Sequence, residues 1–183
     1  MKKIRVWDPL VRLLHWVLVG CVISNLFNAS GHFAHRTLGL IAAGAVTVRL
    51  VWGFVGPQYA RFSDWFPTPT RLIPYLRALL RNQAPRHLGH NPAAAVMMLT
   101  LMALVLGLGV SGYLMTTDAF YENETLQGVH ESLVSILQAA VIVHVLAALY
   151  ESWKHRENLI GSMVHGYKPV DTGFKPENEK KTP

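Results

Sequence analysis

The chain has 183 residues and a formal charge of +6; it is 51% hydrophobic and only 15% charged. Soluble domains carry about a quarter charged residues, so the composition argues against a soluble globular protein. The basic excess is not a nucleic-acid signal either, because the Lys and Arg residues flank apolar stretches rather than line one recognition helix.

Four stretches are nearly free of charge, each close to the ~20 residues that cross ~30 Å of hydrocarbon. The first runs from about Leu10 to Phe27, with Lys2, Lys3, Arg5 and Arg12 before or at its start. It lacks a small-residue cleavage site and three more spans follow, so it reads as a span and not as a removed signal peptide. Cys21, the single cysteine, lies inside it and packs as a small apolar side chain with no internal disulfide partner. The short connection Asn28–Ser30–Gly31–His32 makes the first two spans antiparallel neighbours, and the second runs from His35 to Val55.

The connection from Gly56 to Asn91 is too long for a plain turn. Pro67-Thr68-Pro69-Thr70 breaks the chain there, and Arg71 to Arg81 then alternates apolar pairs with arginines. That pattern suits a short amphipathic helix between the second and third spans. It lies on the inner membrane surface with its arginines at anionic headgroups, or stands as a solvated loop helix. The third span, Pro92 to Leu114, opens with Asn91 as N-cap and proline at the first helical position, and has no charge from Asn91 to Gly112. The fourth runs from His130 to Trp153.

The expected fold is therefore all-α: a four-helix transmembrane bundle over residues 6–168, without an internal repeat, followed by a polar tail over 169–183. Charge alternates from Lys175 to Lys181 in that tail, which is expected to be disordered. Arg61, Arg71, Arg77, Arg81 and Arg86 face only Asp64 in the middle connection, and Lys154, Arg156 and Lys168 follow the fourth span. The opposite side has Arg36 against Asp118, Glu122, Glu124 and Glu131. Positive loops stay inside, so both termini and the middle connection are expected in the cytoplasm. Trp7, Trp16, Trp52, Trp65 and Trp153 would lie near that inner interface.

A histidine within a lipid-exposed span is costly and is a functional candidate by default. Four are so placed: His15, His35, His130 and His144. His130 and His144 are fourteen steps apart on one helix; at ~100° and ~1.5 Å per residue they share a face to within ~40° and stand ~21 Å apart. The first span runs inside to outside, and the second and fourth run outside to inside. Depth then pairs His15 with His144 near the inner face and His35 with His130 near the outer one. Two histidines on facing helices at one depth are what a low-spin haem iron needs as axial ligands. Two such sites give two b-type haems and a route for electrons across the bilayer. A transporter for zinc or another divalent ion is the competing use of membrane histidines, but the spans lack carboxylates and the histidines lie at two depths.

His32, three residues before His35, is the alternative outer ligand, whereas His87, His90, His155 and His165 are expected to be solvated. Gly20, Gly39, Gly44 and Gly107 would admit a macrocycle or simply a neighbouring helix. Arg12 and Arg49 near the inner site and Arg36 beside the outer one could pair with haem propionates or snorkel to headgroups.

The stretches that carry a family likeness are Val6-Trp7-Asp8-Pro9-Leu10-Val11-Arg12-Leu13-Leu14-His15-Trp16, His35-Arg36-Thr37-Leu38-Gly39 and Arg49-Leu50-Val51-Trp52-Gly53-Phe54-Val55-Gly56-Pro57. Leu88-Gly89-His90-Asn91-Pro92, His130-Glu131, His144 and His155-Arg156-Glu157-Asn158-Leu159 complete the set. From about Val6 to Lys168 the chain resembles the bacterial cytochrome b561 family of di-haem membrane cytochromes. The resemblance implies a bacterial inner membrane location, the four histidines above as haem ligands, and quinol or quinone chemistry. Related proteins are the cytochrome b subunits of nickel-iron hydrogenases, which usually have a fifth span that this chain lacks. The short first connection also departs from some members.

The leading expectation is an electron carrier between membrane quinone and a redox partner such as a periplasmic c-type cytochrome. Asp118, Glu122 and Glu124 would then form a docking patch for a basic partner or a plain solvated loop. A superoxide–quinone oxidoreductase and a cytochrome b subunit of a larger oxidoreductase are the alternatives, so enzymatic turnover is left open. The implied partners are membrane lipid, quinone and a redox protein, with a homodimer open and no nucleic acid.

Overall fold

The computed structural model describes residues 2–28 and 32–170. The elements in chain order are β1 (Lys2–Arg5), α1 (Pro9–Phe27), α2 (Phe33–Val55), a 3-10 turn (Gln58–Ala60), α3 (Phe62–Trp65), α4 (Pro69–Leu80), α5 (Pro92–Leu114), α6 (Glu124–His155), α7 (Leu159–His165) and β2 (Tyr167–Val170). The helices α1, α2, α5 and α6 are long and apolar enough to cross a membrane, as the four uncharged stretches require. The chain is an all-α transmembrane bundle.

Local chemistry sets the helix ends. Asp8 caps α1, its Oδ1 accepting from Leu10 N at 3.0 Å and Val11 N at 3.1 Å, with Pro9 in the first turn. Asn91 does the same for α5 through Ala94 N at 2.7 Å. The last long helix begins at Glu124, six residues ahead of the expected start at His130, because Asn123 caps it through Leu126 N at 2.9 Å. With 32 residues, α6 is ~48 Å long at ~1.5 Å per residue. It therefore stands well clear of ~30 Å of hydrocarbon.

Backbones approach closely between α1 and α2, α2 and α5, and α5 and α6, so the helices wind in that order. The mid-depth core takes Cys21 from α1, Ala42 and Val46 from α2, Met102, Leu104 and Val105 from α5, and Leu137 from α6. Lipid is as apolar as these side chains, so tight packing and not apolar transfer holds them together. Between the spanning helices the tightest glycine is Gly109, where an added Cβ would lie 2.6 Å from Ala43 Cβ. The glycines singled out from the sequence behave otherwise: nothing lies within 4 Å of an added Cβ at Gly20 or Gly44, and only Gly107 is tight, 3.3 Å from Leu133 Cδ1.

Beyond the bundle, β1 and β2 form an antiparallel pair with Ile4 opposite Lys168. The chain was expected to turn polar and loose from residue 169, but Pro169 and Val170 belong to this sheet and Val170 is buried. The remainder of that tail, 171–183, lies outside the described residues. The helix α4 covers the stretch where the arginine pattern calls for one. It buries Tyr75 and leaves Ile73, Leu76 and Leu80 exposed beside Arg71 and Arg77, so its apolar face is not covered by the rest of the chain.

Candidate functional site

At the end of the bundle remote from the termini, α2 and α6 bring His35 and His130 together, with ring centroids 6.4 Å apart and an interplanar angle of 61°. Asn25 at the end of α1 donates through Nδ2 to the carbonyl of His35 at 3.1 Å and fixes the start of α2 against it. The His130 ring lies against α5: an added Cβ at Gly112 would be 3.4 Å from its Cε1, and its Nδ1 is 2.8 Å from Ser111 Oγ. His32 is the N-cap residue of α2, exposed and without a side-chain capping bond. Arg36 is exposed.

At the terminal end, His144 is within electrostatic range of His15. His15 is half-buried and His144 is exposed on the open side of α6. Leu137, seven residues from each α6 histidine, is buried between them in the mid-depth core. His35 and His130 are thus neighbours at one end of the bundle, and His15 and His144 lie within electrostatic range at the other, with apolar packing between.

The arginines divide. Arg49 is buried at 5% exposure, donates through Nη2 to the Ala60 carbonyl at 3.0 Å, and lies over the rings of Phe62 (5.7 Å) and Trp65 (5.9 Å). Its Nη1 has no partner among the described residues. Arg12 donates through Nη1 to the Val164 carbonyl, and its Nε is likewise buried and without a partner. Two cations with unspent donors therefore stand at the end of the bundle that carries His15 and His144.

His90 is not solvated. It packs between Trp7 (4.8 Å between centroids) and Trp65 (5.1 Å), and desolvation, then the charges of Arg49 and Lys168 and the neighbouring His144, hold its pKa down at about 3. This imidazole is neutral at physiological pH. Of the tryptophans expected near the inner interface, Trp7 and Trp65 are buried in this cluster while Trp16 and Trp153 are exposed. His155 pairs with Glu151 at 3.3 Å, and His87 faces the Tyr75 ring at 5.6 Å. Around Trp7 the ends interlock. Its Nε1 donates to Ser162 Oγ at 3.2 Å, and Trp16 Nε1 donates to the Met163 carbonyl at 3.1 Å. Gly166 accepts from Val6 N and Trp7 N in a left-handed conformation, φ 89°. An added Cβ there would meet the Trp7 carbonyl at 2.7 Å.

The sequence matches the family described as prokaryotic cytochrome b561 over residues 6–166. The chain belongs to that family. It is a multi-pass protein of the bacterial inner membrane, a b-type cytochrome that transfers electrons. Curated relatives include a probable Ni/Fe-hydrogenase B-type cytochrome subunit of Rhodobacter capsulatus, 22% identical over 91% of this chain and 81% of the relative. The proteins of the same description from Bradyrhizobium diazoefficiens (23%, 88% and 84%) and Cupriavidus necator (24%, 92% and 88%) are similarly related. No solved structure matches. Within this b561 chain, the matched span contains all four paired histidines, Arg12, Arg36 and Arg49.

Proposed function

We propose that the chain holds two b-type haems, one between His15 and His144 and one between His35 and His130, and carries electrons across the membrane between quinone and a redox partner. The observation that carries this reading is the 6.4 Å spacing of the His35 and His130 rings. Two imidazoles bound to one metal ion through bonds of ~2 Å, with ~1 Å from each nitrogen to its ring centre, have centroids ~6 Å apart. The Nδ1 atoms of His15 and His35 are buried without a partner among the described residues, and an imidazole donor set suits haem iron. When bound, the haem supplies a reversible one-electron couple.

The chain's own residues do the rest. The common helix α6 holds His130 and His144 on one face ~21 Å apart, since each residue adds ~1.5 Å of rise. Leu137 and its neighbours keep the space between them dry. Arg12 Nε and Arg49 Nη1, buried donors at the His15–His144 end, would hold the propionates there. His32 lies outside this arrangement, which supports His35 as the ligand. On the positive-inside reading the His15–His144 site is cytoplasmic.

The haem count per chain from the pyridine haemochrome spectrum tests the ligand set. Parent protein should carry two; His35→Ala should keep one and His32→Ala both. Two haems in His35→Ala, or one in His32→Ala, sink the assignment. Redox titration in membranes with and without added quinol tests the quinone link, which fails if quinol reduces neither haem. The relatives' descriptions favour a second reading, a cytochrome subunit attached to a nickel-iron hydrogenase. Under it, haem reduction by hydrogen needs added hydrogenase and proceeds without quinol.

A further inference from the structure

Among the described residues, His130 differs from His15, His35 and His144 in having a side-chain hydrogen-bond partner for its ring: Ser111 Oγ on α5, 2.8 Å from Nδ1. Ser111 is buried at 5% exposure. Its hydroxyl also lies 2.8 Å from the Gly107 carbonyl and 3.3 Å from the Leu108 carbonyl of its own helix. Carbonyls only accept, so the hydroxyl proton goes to them and the oxygen turns a lone pair toward the imidazole. Nδ1 must then carry the ring proton and donate it. In a neutral imidazole this leaves Nε2 as the free lone pair, the atom that binds a metal.

We propose that Ser111 is the positioning residue of the His35–His130 site: it locks His130 in the Nδ1–H tautomer and makes the two haem sites electronically unequal. The inference rests on the haem ligation proposed above. A ligand imidazole that donates its other N–H becomes more basic, and a more basic ligand favours the oxidised metal. His15, the corresponding ligand on α1, has an Nδ1 without such an acceptor. Ser111 therefore lowers the reduction potential of the His35–His130 site. The packing next door serves the same end, since Gly112 leaves room for the ring where a larger residue would press on it.

Redox titration of the haem-loaded protein in nanodiscs, with low-temperature electron paramagnetic resonance to separate the two low-spin signals, tests this in Ser111→Ala and Ser111→Thr. Ser111→Ala should shift the reduction equilibrium of one haem at least about threefold toward the reduced form, a rise of about 30 mV at ~59 mV per tenfold. Its resonance signal should move as the ring is released, while the other haem keeps its potential and signal. Ser111→Thr, which keeps the hydroxyl, should restore the parent values. Unchanged potentials in a Ser111→Ala protein with two haems overturn the role of Ser111. If Ser111→Ala does not accumulate, Ser111→Cys, a weaker acceptor, should move the same potential upward, and no movement overturns it equally. Retention of two haems in His130→Ala would instead overturn the ligand assignment, which keeps the two failures distinct.

Discussion

Lys168 offers a sharp quantitative test of the terminal clasp. It sits in β2 opposite Ile4, is 5% exposed, and holds its ammonium 5.5 Å from the Trp7 ring centre. Burial first and the Arg86 charge second push its pKa down from 10.5 to about 8, against the opposing pull of Glu151. The folded value lies below the unfolded one, so between about pH 8 and 10.5 the unfolded strand binds more protons and stability rises with pH. Below pH 8 the full penalty is present. A difference of 10.5 against about 8 corresponds to ~3 kcal/mol at ~1.4 kcal/mol per unit. The cation–π contact returns ~1 kcal/mol. Replacing Lys168 by Met should thus stabilise the clasp by ~2 kcal/mol at pH 7, which slows strand opening ~30-fold at ~1.4 kcal/mol per tenfold. Amide exchange of peptides spanning Lys2–Arg5 and Tyr167–Val170, read by mass spectrometry as a variant-to-parent ratio at matched pH, measures it. The ratio should shrink severalfold between pH 8 and pH 10 and approach one only above pH 10.5, where the unfolded lysine is neutral as well. A ratio that is one at pH 7, or equal at both pH values, refutes the reasoning.

Asp8 accepts from two α1 amides and from Trp52 Nε1 at 3.2 Å. Asp8→Ala should therefore cost ~2 kcal/mol, a cap plus a side-chain bond, and Asp8→Asn should recover most of it. Thermal unfolding in detergent, followed by circular dichroism, reads both. In the same assay Gly109→Ala should destabilise by ~1–3 kcal/mol through the clash with Ala43. Gly128→Ala, with nothing within 4 Å, should be neutral or better. His90 has a folded pKa of about 3 against an ordinary 6.5, so the unfolded chain binds more protons between those values. Parent stability should fall as pH drops from 6.5 toward 3, and His90→Phe should flatten that loss. Parallel pH profiles for parent and variant would show that the imidazole is not held neutral.

The spans were legible because uncharged runs of the right length have few other uses, and Asn91-Pro92 marks a helix start to the residue. The six extra residues of α6 were not, because Glu124 to Val129 lie outside the apolar run and only the Asn123 cap announces them. The approach of His35 to His130 was readable from helix direction, which sets both at the same end of the bundle. His90 was not: a loop histidine is read as solvated unless its neighbours are known, and Trp7 and Trp65 come from remote segments. Ser111 carries no signal of its own in an apolar span, since a lone serine there most often bonds back to its own helix, and this one does so as well. The strand pair leaves no mark in the sequence because four residues are too few for alternation to show.

That strand pair also orders events during synthesis. The partners of β1 are the last described residues, Tyr167–Val170, and the groups that receive Arg12 and Trp16 lie in α7. While the ribosome is still making the later helices, the first span must sit in the bilayer with its leading end unfastened. The His15–His144 end can close only after α6 has been threaded and α7 has emerged. A ribosome stalled before residue 159 would leave an inserted bundle with an open mouth on the side of the termini, because the partners of β1, Arg12 and Trp16 would not yet exist.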